Sequence, residues 1–193
     1  LSRFSRTLQP NKVTEKQQQR TNSMTNTNKI PSTQTLNQIK AVIFDFDGVF
    51  TDNRVIVSTT GEEFVICDRG DGMGTNLLAA AGIKMLILSK EKNAVVTSRG
   101  KKLNIEVIQG CDDKLPELIQ WLQKNNVDAQ QAAYIGNDIN DLECLSHVGV
   151  AVIPADAHHS VVAAATWILQ HNGGRGAIRE FADGIVESLS SNS

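Results

Sequence analysis

The chain has 193 residues, 40% of them hydrophobic, which is enough for one domain with a real core and too little for a second domain of similar size. Lys and Arg total 19 against 21 Asp and Glu, so net charge points to neither nucleic acid nor an anionic membrane. No apolar stretch approaches the roughly 18–20 residues of a membrane span, and Cys67, Cys111 and Cys144, with no C-x-x-C spacing, suggest neither a disulfide framework nor a thiolate zinc site.

Residues 1–37 are rich in Ser, Thr, Asn, Gln and Lys without apolar period, the composition of a disordered leader or linker. Residues 1–40 carry Arg3, Arg6, Lys12, Lys16, Arg20, Lys29 and Lys40 against Glu15 alone, about +6, so an acidic domain follows a basic tail. An acid-poor leader with Arg and Ser also fits a transit peptide, but a soluble cytoplasmic protein is the expectation. Residues 38–190 form the predicted domain. Short β-prone runs at 41–44, 83–88, 105–108, 133–135 and 150–153 alternate with predicted helices at 74–81, 92–102, 114–125, 139–147, 157–165 and 176–189. That alternation predicts a doubly wound α/β fold with a mainly parallel sheet, binding its ligand beyond the carboxyl ends of the strands. One segment departs from it. Arg54–Val57 and Glu63–Ile66 flank Ser58-Thr59-Thr60-Gly61, which predicts a β-hairpin directly after the first strand.

The chemistry-bearing residues fall at the strand ends. The first strand closes as Phe44-Asp45-Phe46-Asp47-Gly48, and in extended backbone residues two apart share a side, so Asp45 and Asp47 are expected to face one pocket. Two carboxylates so close favour a divalent cation, and Mg²⁺ suits carboxylate oxygens while keeping waters that a phosphate displaces. By itself the string fits a polar turn equally well. Ser89 ends the second strand, where a small hydroxyl suits a phosphate oxygen. Lys114 follows the third, near a helix start. Gly136-Asn137-Asp138-Ile139-Asn140-Asp141 follows the fourth, with Asp138 placed to complete a metal site and Asp141 fitting either a helix-start acid or a site residue. His158 and His159 read as surface residues, and Trp121 and Trp167 as core or interface.

Asp, Asp, Ser, Lys and Asp in that order at four successive strand ends resemble the haloacid dehalogenase superfamily of phosphotransfer enzymes, over roughly residues 39–183. The resemblance implies a Rossmann-like fold. It makes Asp45 the nucleophile, Asp47 the acid/base, Ser89 and Lys114 the phosphate-binding pair, and Asp45, Asp47 and Asp138 the Mg²⁺ site, with Asp141 in support. Only residues 48–88 separate Asp47 from Ser89, and 24 residues separate Ser89 from Lys114, so no large cap domain fits and closure has to come from a neighbouring subunit.

The string Asp45–Asp52, the hairpin, Asp71-Gly72-Met73-Gly74 and Gly173–Phe181 are similar to the capless phosphatases of 3-deoxy-octulosonate 8-phosphate. They are also similar to the nine-carbon acid phosphatases and to the module at the carboxyl end of CMP-acylneuraminate synthetases. This narrower likeness implies a phosphorylated 2-keto-3-deoxy sugar acid as substrate, a homo-oligomer (a tetramer), and Asp71, Gly72, Glu91, Lys102 and Arg175 as substrate-binding residues. Glu91, with Lys102 eleven positions on, favours the nonulosonate branch. Arg175 suits a sugar carboxylate, in a neighbour's site, or else marks a Gly-rich stop before the last helix. Three departures stand out: Gly70 directly before Asp71, Asn137 where relatives carry Asp, and Lys90 after Ser89. Two rival readings remain, a non-catalytic assembly module of a synthetase and a phosphoryl-accepting signalling domain.

Overall fold

The computed structural model describes residues 30–191. Its elements are α1 (Thr33–Leu36), β1 (Ala41–Phe44), β2 (Ile56–Val57), β3 (Glu63–Phe64), α2 (Arg69–Ala80), β4 (Lys84–Ser89) and α3 (Val95–Leu103). There follow β5 (Glu106–Gln109), α4 (Lys114–Lys124), β6 (Ala132–Ile135), α5 (Leu142–His147), β7 (Val150–Ile153), β8 (Trp167–Ile168) and α6 (Ala177–Ser190). The leader expected over 1–37 lies outside the described residues up to position 29. From Ser32 onward the chain is already built into the domain: the Ser32 hydroxyl accepts the Thr35 N–H, and Leu36 is buried in the core. The domain therefore begins earlier than residue 38.

Six strands form one sheet in the order β5-β4-β1-β6-β7-β8, every pair parallel. The strands read as unbroken apolar runs because helices cover both faces. Along β1 the side chains alternate between two cores. Val42 and Phe44 join Leu78, Ile178, Phe181 and Ile185 on one face, whereas Ala41 and Ile43 join Leu118, Trp121 and Leu145 on the other. Each such buried aliphatic or aromatic side chain contributes about 1.5–3 kcal/mol relative to exposure. The chain leaves β1 for β4 on one side and later reaches β6 on the other. The crevice of a doubly wound sheet therefore opens at the carboxyl end of β1, where Asp45 stands.

Several elements differ from their sequence expectation, each for a physical reason. The helix expected over 157–165 is a single 3₁₀ turn, His159–Val161, and an unexpected sixth strand, β8, follows it. Thr166 donates its N–H and its hydroxyl to the Ala151 carbonyl and accepts the Ala151 N–H, which starts β8 along the β7 edge. Covering an open sheet edge outweighs local helix propensity. Helix α2 begins at Arg69 instead of 74 because the Asp68 carboxylate caps it, accepting the N–H groups of Gly70 and Asp71. Its Gly74 lets α6 cross closely, since a Cβ there would lie 2.9 Å from the Arg179 Cα. The hairpin forms, with only two paired residues per strand. Between Asp47 and Ser89 lie only that hairpin, α2 and the body of β4, so no large cap covers the strand tips. No helix among the described residues is long and apolar enough to cross a membrane.

Candidate active site

Strand β1 ends at Phe44, one residue short of the first acid. Asp45 keeps the ladder for one more bond, donating its N–H to the Ile135 carbonyl, and the backbone then turns sharply, with the N–H groups of Val49, Phe50 and Thr51 all directed at the Phe46 carbonyl. Asp47 is therefore positioned by a turn, not by the strand alternation expected from the sequence. Two contacts set that turn. Phe46 and Phe50 stack with centroids 5.9 Å apart in the core, and the Thr51 hydroxyl accepts the Gly48 N–H while donating to Asp47 Oδ1 at 3.4 Å. Gly48 adopts φ +78°, and a Cβ on it would run into the Asn137 amide. Thr51 is a positioning residue the sequence reading passed over. Its signal was a hydroxyl placed where the chain must fold back.

Around Asp45 the structure gathers residues from three strand tips. Lys114 is almost fully buried, and its Nζ lies 2.7 Å from Asp45 Oδ1 and 2.7 Å from Asp141 Oδ1. It occupies the first turn of α4, where a cation opposes the helix dipole, a placement that chemistry and not helix stability explains. Asp141 has no solvent exposure. Its Oδ1 also accepts the Tyr134 hydroxyl at 2.7 Å, and its Oδ2 accepts the N–H groups of Asn137 and Asp138. Asp141 fills both positions it fitted in the sequence, closing a capping box with Asp138 at the start of the 3₁₀ turn Ile139–Asp141 and holding Lys114 beside Asp45. Ser89, buried at the tip of β4, accepts the Glu91 N–H on its hydroxyl. A cleft of about 440 Å³ opens beside Lys114, between Lys90, Asp113 and Ile139.

The electrostatics follow from burial. Desolvation first, then the charge of Asp141, push the Asp45 carboxyl up, while Lys114 pulls it down. Burial pulls the Lys114 ammonium down, and Asp45 and Asp141 more than reverse that. With Asp45 ionised, as a nucleophile must be, two buried carboxylates would face one ammonium, and a cation would balance the excess charge and draw the Asp45 carboxyl back down. Asp47 is pushed up by burial and then by the charge of Glu91, with the Thr51 hydroxyl opposing. A carboxyl so raised is suited to carry a proton.

Among the described residues no three His, Cys, Asp or Glu side chains form a ready-made metal cluster, so the carboxylates of Asp45, Asp47 and Asp138 are not gathered into a closed cage. The donor set still fits a hard cation that keeps part of its water. Asn137 is buried beside Gly48 with its Oδ1 lacking any hydrogen-bond partner, an oxygen to spare next to the loop of Asp45 and Asp47. Asp138 is half-exposed on the same loop as Asn137, and His158, read from sequence as a plain surface residue, lies 3.8 Å from its Oδ1.

The expected substrate residues separate. Asp71 is fully buried and accepts the backbone N–H groups of Gly176 and Arg179, so it anchors the start of α6. Gly72 is buried within α2, where a Cβ would meet Leu103 and Arg99. In this structure both are built into helix packing, and a sequence cannot show that a distant helix start needs an acceptor. Glu91 stays at the site, its Oε1 accepting the Lys92 and Asn93 N–H groups and its charge felt by Asp47. Lys102 is exposed in the last turn of α3. Arg175 pairs with Asp52 of its own chain at 3.2 Å, an acid shared with Arg54. It is brought there by Gly173 and Gly174, which press on the backbone of Gly48 and Thr51.

Residues 80–181 match the haloacid dehalogenase-like hydrolase family. The 3-deoxy-D-manno-octulosonate 8-phosphate phosphatase of Yersinia pestis is 33% identical over 149 residues, covering 77% of this chain and 80% of that one. An N-acylneuraminate cytidylyltransferase of Oncorhynchus mykiss is 30% identical over 152 residues, and there the match spans 77% of this chain but 35% of the longer protein. Among solved structures, the 3-deoxy-D-manno-octulosonate 8-phosphate phosphatase of Moraxella catarrhalis, in complex with magnesium, phosphate and KDO, superposes with a TM-score of 0.78. It is 29% identical and covers 83% of this chain and 97% of that one.

Proposed function

The chain belongs to the haloacid dehalogenase-like hydrolases, and from that premise we propose that it hydrolyses the phosphate monoester of a 2-keto-3-deoxy sugar acid, with Mg²⁺ as cofactor. The observation that carries this reading is the buried Lys114 ammonium held 2.7 Å from Asp45 at the strand tips. An ammonium so placed has a carboxylate to aim and a phosphoryl group to meet.

Asp45, Asp47 and Asp138, with the free oxygen of Asn137, would hold the cation. When bound it would neutralise charge shared between the carboxylates and the phosphoryl oxygens. An Asp45 oxygen attacks phosphorus, the bond from phosphorus to the sugar oxygen breaks, and protonated Asp47 gives its proton to the departing alkoxide. The resulting Asp47 carboxylate takes a proton from water, whose oxygen attacks the aspartyl-phosphate, releasing inorganic phosphate and restoring Asp45. Ser89 and Lys114 hold the phosphoryl oxygens throughout.

Within this substrate class a nine-carbon acid is favoured by resemblance, Glu91 with Lys102 eleven positions on being the pair that the nonulosonate branch carries. The likeness to a segment of a cytidylyltransferase supports a second reading, an assembly module of such an enzyme, which the intact Asp45, Asp47 and Lys114 disfavour. In either case a second copy of the chain is the partner for the hairpin. Ile56, Val57, Phe64 and Ile66 are all exposed on it, and a two-stranded ribbon is marginal alone.

Phosphate release from a panel of eight- and nine-carbon sugar acid phosphates, with and without Mg²⁺ and with Asp45→Asn as control, tests the reading. Release should require Mg²⁺, favour nine-carbon acids, and fall by about four orders of magnitude in Asp45→Asn. Equal release by Asp45→Asn would remove it as nucleophile, and no release from any member would favour the assembly module. Light scattering on the same samples reports whether the active species is an oligomer.

A further inference from the structure

Tyr134 does not belong to any strand-tip motif, yet it is fully buried in β6 and its hydroxyl reaches the site. It donates to Asp141 Oδ1 at 2.7 Å, the same oxygen that accepts Lys114 Nζ at 2.7 Å. The other Asp141 oxygen is occupied by the Asn137 and Asp138 N–H groups. Every acceptor direction of this carboxylate is thereby engaged, and Lys114 is left one direction in which to lean, toward Asp45. A phenylalanine would fill the same hydrophobic place, so packing against Leu118, Leu145 and Cys144 does not account for the hydroxyl.

We propose that Tyr134 is a positioning residue for phosphoryl transfer, acting through Asp141 to hold Lys114 where it meets both Asp45 and the phosphoryl group. The proposal rests on the phosphatase reading. Hydrogen bonds to a buried carboxylate restrict it most when all its partners are present. Without the Tyr134 hydroxyl, Asp141 Oδ1 is free to turn and Lys114 follows it.

The test is calorimetry of inorganic phosphate binding in Mg²⁺ buffer, alongside turnover and thermal unfolding, for wild type, Tyr134→Phe, Lys114→Met and the double variant. Tyr134→Phe should weaken phosphate binding roughly five- to tenfold and lower kcat more than it changes KM. Tyr134→Phe should add nothing once Lys114 is methionine. Unchanged phosphate affinity, or a loss that persists in the Lys114→Met background, overturns the proposal. Because the chain has a single tyrosine, fluorotyrosine incorporation places one ¹⁹F probe at this ring with its hydroxyl retained. That resonance should move on phosphate saturation even if Tyr134→Phe fails to fold, and a fixed resonance counts against the proposal. A wild type that binds phosphate but hydrolyses no sugar acid phosphate removes the substrate assignment and leaves the Tyr134 result standing. A wild type that binds no phosphate overturns both.

Discussion

Asp141 and Asp71 are both carboxylates with no solvent exposure, and they do different work because their partners differ. Asp71 accepts only backbone N–H groups, those of Gly176 and Arg179, and so splices α2 to the start of α6. Helix α6 has no side-chain cap of its own, its N-cap being Gly176. Asp71 supplies the missing acceptor from a distant helix. Asp141 instead takes an ammonium, a phenol and two N–H groups, and the ammonium in turn faces a second buried acid. Burial therefore does not separate scaffold from chemistry. The test is whether a mobile proton donor is among the partners and whether a further acid is left within its reach.

Substitutions at three positions break or sharpen this contrast. The largest effect is expected from Asp141→Asn, which releases Lys114. Turnover should fall about a hundredfold, the scale of a misplaced catalytic group, with far-ultraviolet circular dichroism unchanged. Activity close to wild type would place Asp141 with Asp71 as scaffold.

Asp71→Ala should do the reverse. It leaves N–H groups at the start of α6 without an acceptor, costing about 2 kcal/mol in urea unfolding, while turnover per folded molecule stays near wild type. Asp71→Asn should cost less. Burial already holds the Asp71 carboxyl above its ordinary range, and the amide oxygen still accepts an N–H. A loss of turnover exceeding the loss of folded protein would return Asp71 to the substrate.

The smallest effect is expected from Glu91→Gln. The negative charge of Glu91 favours protonated Asp47, so removing it lowers the Asp47 carboxyl toward its ordinary value. The proton donor is then lost at lower pH, and the alkaline limb of the kcat profile shifts in the acid direction. A limb that stays in place would mean that burial alone tunes Asp47.

Much of the fold was legible because its strands are buried on both faces and read as short apolar runs between amphipathic segments. The strand-tip order of Asp45, Ser89, Lys114 and Asp138 was legible for a related reason, since in a parallel sheet each strand-to-helix loop delivers its residue to the same edge. The misses share a cause. The DGMG string around Asp71 reads as a ligand loop until α6 is seen to need an acceptor, and residues 157–165 read as a helix until the β7 edge is seen to need a partner. Tyr134 reads as one more apolar strand residue, because nothing local shows that its hydroxyl ends on a carboxylate seven positions away.

The sequence by itself determined the two-faced sheet, the residues offered at its carboxyl edge and the lack of space for a large cap, since local periodicity and loop length control all three. Only the tertiary structure decided which acids meet a cation, which merely receive backbone N–H groups, and how Asp47 is turned inward by Thr51. Those choices depend on hydrogen-bond partners supplied by segments remote in the chain, and a buried polar group takes its role from the partners that satisfy it.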